Sequence, residues 1–207
     1  MKIYMIAISG NPTSQYYKDA CLKSWIDKGY EVTHFEATVP ETIPENGPLR
    51  FGSLKSKRSF SDTERAVWYS HYNLWKHCVE IDEPIHVLEH DSYLLDHLPV
   101  FDNTEIELFG LFDYRHNGTY RYAKHVVSPC AGYYITPTAA EVMIKKAEME
   151  AITINVDWIV HDTYDDFHLE ETGRSMKLFQ QNLQGQCVVQ QLYIDHIGTT
   201  ILHPSYK

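Results

Sequence analysis

Short apolar runs alternate with amphipathic helical patterns through the first half of the chain, and that alternation leaves few folds open. Lys2 to Ile8 reads as a buried strand that stops at Ser9-Gly10-Asn11-Pro12. A helical pattern follows from Gln15 to Lys28, with Tyr17, Cys21 and Trp25 on one stripe and Gly29 where a helix stops. Glu31 to Ala37 is a second strand. Ser61-Asp62-Thr63-Glu64 has the S-x-x-E spacing of a capping box, so a helix is predicted to start there and run to Ile81, with Val67, His71, Leu74 and Cys78 inward. Pro84 separates it from an apolar strand, Ile85 to Glu89. Strand, helix, strand, helix, strand is the order of βαβ units, so the expected fold class is α/β, a mainly parallel central sheet flanked by helices.

Thr38 to Ser59 carries Pro40, Pro44 and Pro48 with Gly47 and Gly52, a composition that forbids a regular element and predicts a long functional loop. Further strands are expected at Glu107 to Phe112 and Gly132 to Thr136. Pro137 opens a helix capped by Thr136, carried by Ala139, Val142, Met143 and Ala147, and another is expected from Asn155 to Asp166 around Trp158 and Ile159. There is no internal repeat, and 207 residues fit a single domain.

Charge removes one class of partner. With 18 Lys plus Arg against 28 Asp plus Glu, the net charge is −10, and only Lys55 to Arg58 forms a basic cluster, so no nucleic-acid partner is expected. Cys21, Cys78, Cys130 and Cys187 lie far apart without a C-x-x-C pair, which excludes a zinc knuckle and a thioredoxin motif and fits reduced thiols in a cytoplasm. The first apolar run is too short for a signal peptide, and no run approaches a membrane span, so a soluble cytoplasmic protein is expected.

Val87-Leu88-Glu89-His90-Asp91-Ser92 runs an apolar strand directly into acids. Carboxylates at the C-terminal end of a parallel strand face the crevice where α/β sheets bind ligands. One of Glu89 and Asp91 can hold a divalent cation, and the other can orient a ligand hydroxyl; a solvated acidic turn is the alternative. His86 and His90 have the separation of a zinc helix motif, but on a strand they would stand about 13 Å apart.

Read with Ser61 to Leu74, Ser-Asp-Thr-Glu-Arg-Ala-Val-Trp-Tyr-Ser-His-Tyr-Asn-Leu, this stretch resembles glycosyltransferase family 25, the lipooligosaccharide and collagen galactosyltransferase group. That family has a Glu opening a helix, then Ser-His, then an apolar strand ending in Glu-Asp-Asp; the counterparts are Glu64, Ser70-His71 and Glu89-His90-Asp91. A third block, His125 followed by Cys130-Ala131-Gly132-Tyr133-Tyr134-Ile135-Thr136 and Ala139-Ala140-Glu141, resembles the family's Ala-Gly-Tyr-Ile-Ile-Ser segment. A fourth, Asn155-Val156-Asp157-Trp158, resembles its Val-Asp-aromatic segment, and the last forty or so residues match poorly. His90 departs from the family in replacing the middle acid.

The resemblance implies a single GT-A domain over residues 1–207, with a nucleotide-binding half at 1–95 and an acceptor-side half at 96–207. It implies a metal-dependent transferase that moves a hexose from UDP-glucose or UDP-galactose to a hydroxyl of a saccharide or other acceptor, with inversion. It makes Asp91 a ligand of Mn²⁺ or Mg²⁺ with His196, or else His203, joining it; Glu89 the donor-orienting acid; and Asp157 the general base, where an N-cap role competes. Ser9, Asn11, Glu36, Ala37, Glu64, His90 and Gly132 are implied to line the nucleotide-sugar site, and beside a diphosphate Lys57 and Arg58 would pair with its oxygens, a solvated loop being the alternative. Glu64 is equally explained by its capping box, and His71 is better explained by a hydrogen-bonded core position than by a catalytic one. A nucleotide-sugar hydrolase and a degenerate, non-catalytic nucleotide- or glycan-binding domain are the competing readings.

Overall fold

β1 (Lys2–Ala7) pairs in parallel with β2 (Thr33–Glu36) on one side and with β4 (Ile85–Glu89) on the other. Beyond β4 comes β10 (Gly132–Ile135), antiparallel to its neighbours, then β6 (Ile106–Leu108) and β14 (Leu178–Gln180), which are parallel to each other. The sheet is therefore mixed and mostly parallel, with β10 alone reversed. In this computed structural model, residues 1–54, 58–98, 132–153 and 156 are described, together with the strand segments 106–108, 110–111, 115–116, 119–120, 168–169, 174–175, 178–180 and 189–191.

Two helical layers cover the sheet. α1 (Pro12–Ile26) starts where Asn11 Oδ1 accepts from the backbone N–H of Ser14 at 2.9 Å and Pro12 fills the first turn, where its missing N–H costs nothing. Its Cys21 and Trp25 pack with Ile3, Met5 and Leu88. α2 (Asp62–Ile81) and α3 (Pro137–Met149) pack on the opposite face, where Trp68, Leu74, Trp75, Ala139 and Met143 meet Ile6, Ile85 and Val87. The period of two along β1 and β4 sorts these side chains between the layers. Trp25, Trp68 and Trp75 are each at most 1% exposed, and burying a side chain of that size contributes roughly 2–3 kcal/mol.

The capping box stands as expected: Ser61 Oγ accepts from the Glu64 backbone N–H at 3.2 Å while Glu64 accepts from the Ser61 N–H at 2.9 Å. Thr136 likewise caps α3. The inner face of α2 is wider than the expected stripe, because Trp68, Tyr69, Tyr72 and Trp75 are buried as well, under α3 and the long loop.

That loop corrects one expectation. Residues 38–59 hold a 3-10 turn at Pro40–Thr42 and a short strand, β3 (Arg50–Phe51), which pairs in parallel with β11 (Ala151–Ile152). Pro40 is tolerated because it sits at the first helical position, and β3 finds its ladder partner about a hundred residues away, where no local pattern could show it. At Gly47 an added Cβ would lie 2.0 Å from Tyr69 Oη, so the loop lies on α2 through glycine's missing side chain.

Other boundaries shift slightly. β1 ends at Ala7 because the Ile8 N–H turns to Ser14 Oγ at 2.9 Å, and the second strand begins at Thr33 rather than Glu31. The strand expected over Glu107 to Phe112 divides: β6 joins the main sheet, while β7 (Gly110–Leu111) joins β15 (Val189–Gln191), which also pairs antiparallel with β5 (Ser92–Leu94). Two further pairs, β8 (Arg115–His116) with β9 (Thr119–Tyr120) and β12 (His168–Leu169) with β13 (Arg174–Ser175), stand apart from these sheets. The helix expected from Asn155 to Asp166 falls almost wholly outside the described residues.

Candidate functional site

The chain leaves β1 for α1 and β2, then crosses back through α2 to β4 on the far side of β1. Successive connections thus lie on opposite faces of the sheet, so the direction of winding reverses between β1 and β4, and in open α/β sheets the ligand crevice lies at the carboxyl ends of the strands flanking that switch. Ser9 and Asn11 follow β1, Glu36 and Ala37 end β2 and continue from it, and Glu89, His90 and Asp91 end β4. The fold brings these together from three separated stretches of sequence.

The two acids of the β4 turn face different layers. Glu89 shares the side of Ile85 and Val87, and its Oε1 lies 3.6 Å from His71 Nε2 on α2. The chain then turns at His90 and Asp91 instead of staying extended. Asp91 is near enough to Cys21 on α1 that, after burial, its charge is the second cause holding that thiol protonated. His90 sits beside Tyr17 of α1, ring centroids 5.7 Å apart. Burial, and then the negative charge of Asp91, push the Glu89 carboxyl above the ordinary carboxylate range.

Behind Glu89 stands a buried polar series. Trp75 Nε1–H donates to Tyr133 Oη at 2.8 Å, and Tyr133 Oη lies 3.0 Å from Nδ1 of His71, whose ring stacks on the phenol at 24°. Tyr133 is brought there by β10, where it pairs with Val87. Gly132, next to it, pairs with Leu88, one residue before Glu89. The spacing predicts a satisfied core histidine at His71, and it is 1% exposed and partnered; its contact with Glu89 has no counterpart in the helical pattern.

Several expected ligand residues already have protein partners. Glu36 accepts from the backbone N–H of Ser9 at 2.9 Å and from the Ser9 hydroxyl, with His34 Nε2 at 3.0 Å. Slight burial opposes ionisation there, yet the Ser9 and His34 contacts hold its carboxyl down to about 2. Arg58 meets Glu64 through two N–H donors, at 2.7 and 2.5 Å. Burial works against the Glu64 charge, but the Arg58 fork and both Ser61 donors outweigh it and hold the carboxyl at about 2. Asn11 is occupied in capping α1.

Lys57, Asp157, His196 and the alternative His203 lie outside the described residues. No group of three His, Cys, Asp or Glu side chains placed to hold a metal occurs among the described residues. The chemistry of the β4 turn nevertheless suits a hard cation, since Mg²⁺ or Mn²⁺ at a nucleotide is held by one or two carboxylates, with phosphate oxygens and water completing its shell. No local pattern marks β15, whose Gln191 pairs with Ser92, the residue after Asp91, so the distal chain returns to the edge of the acidic turn. No helix among the described residues is long and apolar enough to cross a membrane.

The model of the family described as Glycosyltransferase family 25 (LPS biosynthesis protein) matches residues 1–127, more than half of the 207-residue chain. The match spans α2 and the Glu89-His90-Asp91 turn and ends before β10. No curated protein matches the chain. A solved structure, described as a glycosyltransferase involved in the glycosylation of the major capsid of PBCV-1, is 12% identical, with 87% of this chain and 82% of that one covered, at a TM-score of 0.44.

Proposed function

We infer the function from one premise: the chain belongs to glycosyltransferase family 25. It is accordingly a glycosyltransferase, an enzyme with a sugar donor and an acceptor. We propose that the donor is a UDP-hexose, UDP-glucose or UDP-galactose, and that the acceptor offers a hydroxyl of a saccharide or other molecule. Asp91 is the residue to hold Mn²⁺ or Mg²⁺, joined by His196, and Glu89 is the acid that orients the donor sugar through its hydroxyls.

The observation that carries this reading is the placement of Glu89 and Asp91 on one turn at the carboxyl end of β4, beside the carboxyl end of β1. A cation bound there supplies the positive charge that a chain of net charge −10 needs beside a diphosphate. Glu89, pushed up by burial, accepts a sugar hydroxyl and recovers part of the hydration it lost. Ser9 and Glu36, at the neighbouring strand ends, are proposed to meet the nucleoside. Asp157 is proposed as the base that takes the proton of the acceptor hydroxyl, whose oxygen then displaces UDP in a single inverting step. The three proposals for Asp157, His196 and the inverting course come from the family resemblance.

The test is a thermal-shift and UDP-release screen over UDP-sugars with and without Mn²⁺. Ligand that binds only the folded chain stabilises it by RT ln(1 + [L]/Kd), about 2.7 kcal/mol at a hundredfold excess over Kd. Stabilisation by UDP with metal, and UDP release in the presence of an acceptor, are expected. Failure of every nucleoside diphosphate to stabilise the chain with metal present defeats the proposal, and UDP release with free hexose as the sole product in the presence of acceptors would make it a hydrolase.

A further inference from the structure

We propose that His71 is a positioning residue for Glu89: Tyr133 and Trp75 fix its imidazole with the proton on Nε2, and that N–H holds Oε1 of Glu89 so that the other carboxylate oxygen faces the crevice. The inference deepens the reading of Glu89 as the donor-orienting acid and rests on it.

The direction of the series follows from what each group can do. An indole N–H only donates, so Tyr133 Oη accepts from Trp75 at 2.8 Å. Tyr133 then has one proton of its own to give, and His71 Nδ1 stands 3.0 Å away. An Nδ1 that accepts leaves Nε2 as the protonated nitrogen of the neutral ring. The opposite tautomer would bring a second donor to a phenol oxygen that already accepts from Trp75 and, against an ionised Glu89, would set a bare Nε2 lone pair facing a carboxylate oxygen 3.6 Å away. At 3.6 Å the contact is longer than a hydrogen bond, and contacts of this kind commonly tighten when a ligand arrives.

Burial and backbone support the same assignment. His71 is 1% exposed, and Tyr133 and Trp75 are fully enclosed, so three polar groups bear a desolvation cost that apolar side chains of similar size would avoid. The series also ties α2 to β10 directly behind the end of β4, on elements too well packed to drift, which is what orienting a carboxylate requires.

Two measurements test it. In the intact wild-type chain near neutral pH, nitrogen-15 NMR of the imidazoles, assigned by the signals lost in His71→Gln, should show Nε2 protonated and Nδ1 bare. A protonated Nδ1, in a neutral or a cationic ring, overturns the proposal. In turnover, Gln at position 71 keeps an N–H near the place of Nε2, whereas Asn keeps one near Nδ1. His71→Asn should raise KM for the UDP-sugar on the order of 10-fold, with kcat less affected, while His71→Gln stays close to wild type. A merely structural histidine would lose equally in both, and equal KM values overturn the proposal. Tyr133→Phe is the second variant: it should release the tautomer to a mixture and shift KM in the direction of His71→Asn, and a ring that keeps Nε2 protonated without the phenol overturns the proposed cause. If the wild type turns over no UDP-sugar, the reading of Glu89 fails while the NMR result still decides the tautomer.

Discussion

Glu64, in the first turn of α2, and Glu89, at the end of β4 beside α2, are both carboxylates at an element end, yet they are in opposite states. Glu64 has its partners supplied: the Arg58 fork and two donors from Ser61 hold it ionised, down to about 2. Glu89 is raised by burial and by Asp91, with the imidazole of His71 3.6 Å away instead of a guanidinium. The lesson is that an acid whose acceptor capacity is already filled stabilises the fold. An acid kept short of compensation at the mouth of a crevice retains capacity for a ligand.

Breaking the ligand side of this contrast should have the largest effect. Asp91→Ala is expected to abolish stabilisation by UDP with Mn²⁺, read by thermal shift, while the melting temperature of the ligand-free protein stays in place. Retained metal dependence would move the cation elsewhere. Next, Glu89→Gln keeps the side-chain volume but loses the charge, and UDP-sugar turnover should fall by about 100-fold without a drop in melting temperature.

Glu64→Ala probes the structural side. It removes the capping box and leaves Arg58 without its carboxylate, and should cost about 2 kcal/mol in denaturant unfolding. A loss of UDP affinity at unchanged stability would instead place Glu64 with Glu89, at the donor. The pH dependence sharpens the same point. The folded-state pKa of Glu64 is depressed from 4.5 to about 2, so its contribution is full above 4.5 and is lost as pH falls through about 2. Wild type should therefore lose stability over that window relative to Glu64→Gln, measured by chemical denaturation at matched pH. The smallest effect is expected from Ser61→Ala, about 1 kcal/mol, with Arg58 still in place.

Local chemistry explains what could be read in advance. The capping box, the Thr136 cap, the strand Ile85 to Glu89 and the stripe of Tyr17, Cys21 and Trp25 are properties of neighbouring residues, and each stands in the fold as expected. Pairings across long separations had no such signature. β3 with β11, β15 with β5, and the reversal of β10 within the sheet depend on segments that contact one another only after collapse. The site divides in the same way: Glu89 and Asp91 were marked by an apolar strand running into acids, whereas nothing near His71 in sequence announces Tyr133, and nothing near Glu89 announces His71.

Residue order alone carries the helix starts and the acidic turn after β4, each written in residues within a few positions of one another, and the α/β alternation and the resemblance to family 25, each a succession of such local blocks. Which acids are already satisfied and which remain poised is settled only on folding. That depends on the burial and donors that distant segments bring to a carboxylate, and a carboxyl group has no fixed pKa or partner until the chain has folded around it.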